Sequence, residues 1–270
     1  MDTVASISVS TLRSVIGTPR APLVVDVRKP PAFDADPRVI ASALRRGHDT
    51  VADWAAALPA GREVVAYCVH GHEVSQGVAR ALAGRGVPAR YLEGGIEDWK
   101  AAGAPSVRKL PEIGHGSTAA TRWVTRERPK IDRIACPWLI RRFVNPLAAF
   151  DYVPPDRVRD AAREIKAVPY DVPGVQFTHR GERCSFDAML EDFQLSEPAL
   201  DALAVIVRGA DTARLDLAPQ AAGLLAVSLG LSRTFADDAA MLEAAMPVYD
   251  ALYAWCREAH GETHSRSHPS

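Results

Sequence analysis

The chain reads as an α/β unit followed by a predominantly α-helical unit with a few short strands. Three observations predict this. Through about residue 105, short apolar runs alternate with stretches of helical spacing, the pattern of strands covered by helices. From Pro105 to Thr118 no period holds and turn formers are dense. Beyond Trp123 apolar residues recur mainly at helical intervals. The expected boundaries are 1–105 for the first unit, 106–121 for a linker, 122–260 for the second unit and 261–270 for a disordered tail.

The elements follow in order. Ser8 or Ser10 can cap a short helix through Leu12 to Ile16, which Gly17-Thr18-Pro19 ends. Pro22 to Arg28 reads as a buried strand whose end delivers Asp26 and Arg28. Pro30 and Pro31 predict an irregular segment, Val39–Ala43 a second strand, and Thr50–Leu58 a helix. A strand over 64–68, a helix over 74–84, a turn at Gly84-Arg85-Gly86 and a strand over 89–92 continue the alternation. Glu93-Gly94-Gly95-Ile96 and a short helix through Trp99 to Ala102 close the unit. In the second unit Trp123-Val124-Thr125 begins a strand. Helices are expected over Ile131–Phe143, stopped by Asn145-Pro146, over Glu197–Val207 with Ser196 as cap and Gly209 as stop, over Leu224–Leu229 ending at Gly230, and over Asp237–Arg257.

With 270 residues, 47% hydrophobic, 24% charged and a formal net charge of -1, the composition carries no general signal for nucleic acid or an anionic membrane. The first residues lack a basic region followed by an apolar stretch, and no apolar run is long enough to span a bilayer, so a cytoplasmic protein without membrane partners is expected. Cys68, Cys136, Cys184 and Cys256 are widely spaced and form no Cys-x-x-Cys pair. Disulfide scaffolding and a compact zinc finger are therefore not expected, although distant residues can still converge in space.

Cys68 ends an apolar run a few residues before a helical pattern begins, which places it in a tight strand-to-helix loop. Amides in such a loop can turn inward, Gly71 permits the turn, and the positive end of the next helix favours a thiolate. Cys68 is thus a candidate nucleophile; a buried structural thiol is the alternative. A cysteine phosphatase would want Cys-x5-Arg to fork a guanidinium onto phosphate, but the sixth residue after Cys68 is Val74, which argues against phosphoryl chemistry.

Asp26-Val27-Arg28, Tyr67 to Ser75 and Tyr91 to Trp99, in that order, resemble a single rhodanese domain over about residues 5 to 105. The resemblance implies a sulfurtransferase: Cys68 takes a sulfane sulfur from a small donor, becomes a persulfide and passes it to a thiol or protein acceptor, with no cofactor required. It further implies that the loop His70, Gly71, His72, Glu73, Val74 and Ser75 cradles the persulfide, and that Asp26 and Arg28 brace it. Glu73 departs from the basic loops of many relatives, which makes a dianionic donor less clearly the natural one. His70 and His72 can bind an oxyanion or metal, or simply face solvent.

Two stretches of the second unit are dense in metal-ligating types. Lys130 to Phe143 packs charges around Cys136; either Pro137 lies in the first helical turn, or the helix starts earlier and Asp132 and Cys136 share one face. His179 to Asp187 brings His179, Glu182 and Cys184 before a helix capped by Ser185, either as a site for zinc, manganese or iron or as a structural network. Arg208 and Asp211 flank a glycine, where the arginine can bind an oxyanion or lock the aspartate. Together with Tyr170–Val175 and Tyr249–Cys256, these stretches resemble ChrB-type chromate-resistance proteins over about residues 122 to 258. That resemblance implies a role in tolerance to chromate or related oxyanions. No basic helix-turn-helix is evident, so nucleic acid is not an expected partner. The leading expectation is a sulfur carrier linked to oxyanion stress, with chromate reduction by the persulfide open; the alternatives are a metal or oxyanion sensor with a weak rhodanese unit, its ligands drawn from His179, Cys184, Glu182, Asp132, Cys136 and Asp211, and a binding module with an idle one.

Overall fold

A computed structural model describes residues 4–114, 121–259 and 261–262. In the first unit the elements run β1 (Ser6–Ile7), α1 (Val9–Val15), β2 (Leu23–Asp26), α2 (Pro30–Ala35), β3 (Arg38–Ile40), β4 (Leu44–Arg45), α3 (Val51–Ala55), β5 (Val64–Tyr67), α4 (Glu73–Ala83), β6 (Ala89–Leu92), α5 (Gly95–Ala101) and β7 (Ser106–Arg108). Five strands form a parallel sheet in the order β1-β6-β5-β2-β4. Every residue of β2 and β5 is buried, as continuous apolar runs covered on both faces require. Ser8 caps α1, its hydroxyl accepting from the Thr11 amide.

Several elements depart from the sequence reading for identifiable reasons. Pro30 and Pro31 start α2 instead of breaking the chain, because an amide missing from the first helical turn leaves no bond unmade. The strand expected at Val39 is only Arg38–Ile40, and it pairs antiparallel with β7 outside the main sheet. Ser106–Arg108, read as linker, is thereby tied to the first unit; residues 115–120 of that stretch lie outside the described residues.

The second unit runs β8 (Arg122–Arg126), α6 (Asp132–Leu139), β9 (Ala149–Val153), α7 (Val158–Glu164), β10 (Val168–Pro169), α8 (Ser185–Asp192), α9 (Pro198–Asp211), α10 (Pro219–Thr234) and α11 (Asp238–Ala254). It is mostly helical, around a parallel sheet in the order β10-β8-β9. The helix at 131–143 starts at Asp132, so Pro137 lies inside it and Asp132 and Cys136 share a face; it continues as a wider π turn over Ile140–Val144. Helix α9 runs past Gly209 instead of stopping there. A Cβ at that position would come within 3.0 Å of the Ala221 methyl and of the Arg214 carbonyl, so the glycine serves the close approach of α9 and α10. Helix α10 likewise passes through Gly230, and α8 is capped by Cys184 with Ser185 as its first residue. Of the tail expected over 261–270, positions 263–270 lie outside the described residues.

The two units share one hydrophobic core. Leu12, Tyr67 and Trp99 of the first belong to the same buried cluster as Trp138, Phe143 and Phe193 of the second. Backbone bonds cross the boundary: the Ser42 amide donates to the Phe143 carbonyl at 2.6 Å, and the Arg108 amide to that of Phe193 at 2.8 Å. Gly17, with φ of 79°, lies where a Cβ would sit 2.3 Å from the Phe143 ring. Among the described residues no helix is long and apolar enough to cross a membrane.

Candidate functional site

The buried run of β5 ends at Tyr67, so Cys68 emerges at the carboxyl edge of the parallel sheet, where α/β folds place their ligands. The residue is 6% exposed and helps line a cavity of about 200 Å³ with Arg28, His70, His72, Glu73 and Val74. All the lining residues belong to the first unit. The Cys68 sulfur lies 3.2 Å from the Ser75 hydroxyl, whose proton goes to the His72 carbonyl at 3.2 Å. His72 stands at the N-cap of α4 without capping through its side chain. His70, His72 and Glu73 are exposed at the cavity rim, the two imidazole centroids 5.9 Å apart.

The loop is shaped from below by the Gly94-Gly95 turn. The Ile96 amide donates to the Cys68 carbonyl at 3.0 Å and the Glu97 amide to that of Val69 at 3.2 Å. Gly71 and Gly95 both have positive φ, and a Cβ on either would strike the other strand of the contact: Leu92 O at 2.4 Å from Gly71, and Cys68 O and Val69 O at 2.5 Å from Gly95. The two-glycine signature at residues 94 and 95 is therefore part of the cysteine loop's geometry.

Asp26 and Arg28 act beside the loop and not on the sulfur. The buried Asp26 carboxylate accepts from Arg28 Nη2 at 2.6 Å and from the Tyr67 hydroxyl at 2.6 Å. Arg28 also donates to Asp36 Oδ2 and to the Arg38 carbonyl, both at 3.0 Å. Burial and the Asp26 charge push the Tyr67 phenol well above its ordinary value, so it stays a proton donor to Asp26. The network fixes the ends of β2 and β5, and with them the point where Cys68 leaves the sheet.

A second cluster sits at the carboxyl edge of the β10-β8-β9 sheet. Strand β8 is central; the chain leaves it through α6 to β9 on one side and returns through α7 to β10 on the other, which makes the β8/β10 boundary a topological switch point. Asp132 opens α6 after β8, Asp171 follows β10, His179 lies on the loop before α8, and Asp211 ends α9. His179 Nε2 is 3.0 Å from Asp211 Oδ2, 3.5 Å from Asp132 Oδ2 and 3.6 Å from Asp171 Oδ1. Ile131, a β-branched residue with φ of 28°, is pinned by an amide bond to the Ser228 hydroxyl and a carbonyl bond from Tyr249, and so delivers Asp132 into the cluster.

Charges in the cluster are unequal. Burial, then the charges of Asp211 and Asp171, pushes the Asp132 carboxyl well above its ordinary value, and burial with Asp171 raises Asp211. Burial also works to raise Asp171, but the neighbouring His179 and hydrogen bonds from Ser185 and Arg126 prevail and hold it below the usual carboxylate range. His179 is raised to about 9, chiefly by the neighbouring Asp171 carboxylate, then by the charges of Asp132 and Asp211, against the opposing effect of burial.

Of the sequence-predicted metal residues, the structure brings together Asp132, His179 and Asp211. It leaves out the other three. Glu182 is exposed at the turn before α8. Cys136 and Cys184 are buried against Asp132, and burial followed by that carboxylate's charge pushes both thiols up, so they are packed as neutral thiols. Asp171 was missed.

Residues 8–102 match the family of the rhodanese-like domain, and residues 123–256 match that of the ChrB C-terminal domain. Over 133 residues the chain is 36% identical to Protein ChrB of Cupriavidus metallidurans, a match spanning 49% of this chain and 40% of that protein's length. Similar solved structures include a rhodanese-related protein from Thermoplasma volcanium, 25% identical with a TM-score of 0.33, covering 38% of this chain and 97% of the other. Another is a rhodanese-like domain protein from Staphylococcus aureus, 25% identical with a TM-score of 0.31, covering 35% of this chain and 90% of the other.

Proposed function

From a chain that joins a rhodanese-like domain to a ChrB C-terminal domain, we propose a sulfurtransferase in which Cys68 carries sulfane sulfur and the second domain links it to chromate or related oxyanion stress. The observation that carries the reading is the placement of Cys68: a thiol at the carboxyl edge of the parallel sheet, opening on a cavity of about 200 Å³, with a hydroxyl 3.2 Å from the sulfur.

In the first half-reaction the Cys68 thiolate attacks the outer sulfur of a donor such as thiosulfate. The new S–S bond takes that sulfur, and the donor's electron pair leaves with sulfite. In the second, an acceptor thiolate attacks the same outer sulfur and departs as a persulfide, returning Cys68 to a thiolate. By turning its single proton from the His72 carbonyl to the sulfur, the Ser75 hydroxyl can donate to the anion in either state, and the amino-terminal end of α4 adds a favourable field. Lys29 and Glu73 line the mouth together with His70 and His72, a mixture that suits a persulfide or protein-bound donor at least as well as a dianion.

Mass spectrometry of the intact protein after exposure to thiosulfate or a small persulfide tests this. One added sulfur is expected on the wild type and none on Cys68→Ser, with the other three cysteines present in both. Absence of the adduct under donor excess, or its persistence in Cys68→Ser, would remove the sulfur-carrier reading.

A further inference from the structure

We propose that Asp132, Asp211 and His179 are the protein ligands of a single divalent first-row metal cation bound at the carboxyl edge of the β10-β8-β9 sheet. The inference is independent of the sulfur chemistry at Cys68 and would stand if that failed.

Spacing is the first argument. Donor atoms held about 2.1 Å from one ion lie about 3.0 Å apart at a right angle and about 3.4 Å apart at a tetrahedral angle. His179 Nε2 is 3.0 Å from Asp211 Oδ2 and 3.5 Å from Asp132 Oδ2, so the nitrogen stands at ligand separations from each oxygen, and ligand atoms of the three residues all lie within 4.8 Å of one another.

Hydrogen bonding does not account for the arrangement. Nε2 carries at most one hydrogen, yet three carboxylates approach it within 3.6 Å. Asp132 is 1% exposed, and among the described residues its Oδ1 has no hydrogen-bond partner. A buried carboxylate oxygen without a donor is costly, and buried charges are ordinarily paired or coordinated to metal. A cation bound by the cluster balances the charge of this buried carboxylate and removes the repulsion among the acids.

The surroundings are those of a braced site. Asp171 is occupied by Arg126 Nη2 at 2.8 Å, the Ser185 hydroxyl at 2.8 Å and Arg133 Nε at 3.4 Å, and so is engaged outside the proposed ligand set, 3.6 Å from His179 Nε2. The Ser185 amide donates to Asp132 Oδ2 and fixes that carboxylate's orientation. One imidazole with carboxylate oxygens suits Mn²⁺, Fe²⁺ or Zn²⁺ better than a thiophilic ion, and the neighbouring thiols of Cys136 and Cys184 are buried in the core outside the cluster. His179 is 40% exposed, which leaves a route for entry and for solvent to complete the coordination.

The test uses the full-length untagged protein, treated with EDTA, dialysed, and titrated with Mn²⁺ by the loss of the aqueous ion's paramagnetic resonance signal and with Zn²⁺ against a chromophoric chelator. One equivalent is expected to bind. Asp211→Asn and His179→Ala are expected to weaken binding roughly tenfold or more, while Glu182→Gln, exposed outside the cluster, keeps wild-type affinity. Circular dichroism checks the fold of each variant. A measurement without variants runs beside it: bound Mn²⁺ or Zn²⁺ should slow diethylpyrocarbonate modification of His179, read by peptide mass spectrometry. The proposal is overturned if neither ion binds saturably, if folded Asp211→Asn and His179→Ala bind like the wild type, or if His179 reacts equally with and without metal.

Discussion

Replacing Gly95 with alanine should damage the fold and the cysteine loop together, by an amount the structure allows to be divided. Gly95 has φ of 60°, and holding an alanine there costs about 1–2 kcal/mol. The new Cβ would also lie 2.5 Å from the carbonyl oxygens of Cys68 and Val69 and 2.7 Å from the Gly71 amide, all backbone atoms that cannot swing aside. Overpacking of this kind adds about 1–3 kcal/mol, for a total of about 2–5 kcal/mol. Gly103 supplies the control: its φ is 59°, but a Cβ there meets nothing within 4 Å, so Gly103→Ala should cost only the backbone share of about 1–2 kcal/mol. Urea unfolding of the two variants beside the wild type reads the difference directly. Because the displaced carbonyls are those of Cys68 and its neighbour, sulfur loading should fall at least about tenfold in Gly95→Ala and stay near wild type in Gly103→Ala. Stabilities of the two variants agreeing within about 0.5 kcal/mol would refute the claim that the Gly94-Gly95 turn presses on the cysteine loop.

Two further outcomes follow from the network behind the loop. Arg28→Met strips the buried Asp26 carboxylate of its main partner and should cost about 3–5 kcal/mol in urea unfolding; the double variant with Asp26→Asn should recover part of this, and a single-variant loss below about 1 kcal/mol would contradict the assignment. Asp36 gives a pH dependence: burial works to raise its carboxyl, but the Arg38 amide, Lys100 and Arg28 prevail and hold it below its ordinary value. A native value below the unfolded one means its contribution is fully present above about pH 4 and is lost as pH falls through the depressed native value. Asp36→Asn should therefore flatten the acid limb of the stability curve, and superimposable limbs would count against the pairing.

The cysteine loop was legible in the sequence because its determinants are local. An apolar run that stops, a glycine and a helical period lie within about twenty residues of Cys68, and Leu92 to Ile96 announces the turn that closes on it. What the residues could not reveal was that Arg28 spends its donors on Asp26, Asp36 and a carbonyl, since Asp36 and Arg38 reach it only through the unforeseen helix α2. The second cluster was legible as ingredients only. Asp132, His179 and Asp211 were named, but Asp171 joins them through β10, a two-residue strand too short to leave a period. The run Ala167-Val168-Pro169-Tyr170 before Asp171 was the available signal, an apolar segment delivering a carboxylate. Cys136 and Cys184 attracted attention by residue type, and the inner face of α6 and the cap of α8 then buried them.

The single core that runs beneath both units has a consequence for how the molecule can be taken apart. Phe143 and Phe193 give their carbonyls to Ser42 and Arg108, and Phe143 fills the space a side chain on Gly17 would need. Severing the chain between the two halves would bare aromatic surface on each fragment, so neither is expected to report faithfully on its behaviour in the whole. Heat should melt the intact molecule in one step, and damage at one sheet edge should be felt as lost stability at the other, some of it without any shared ligand.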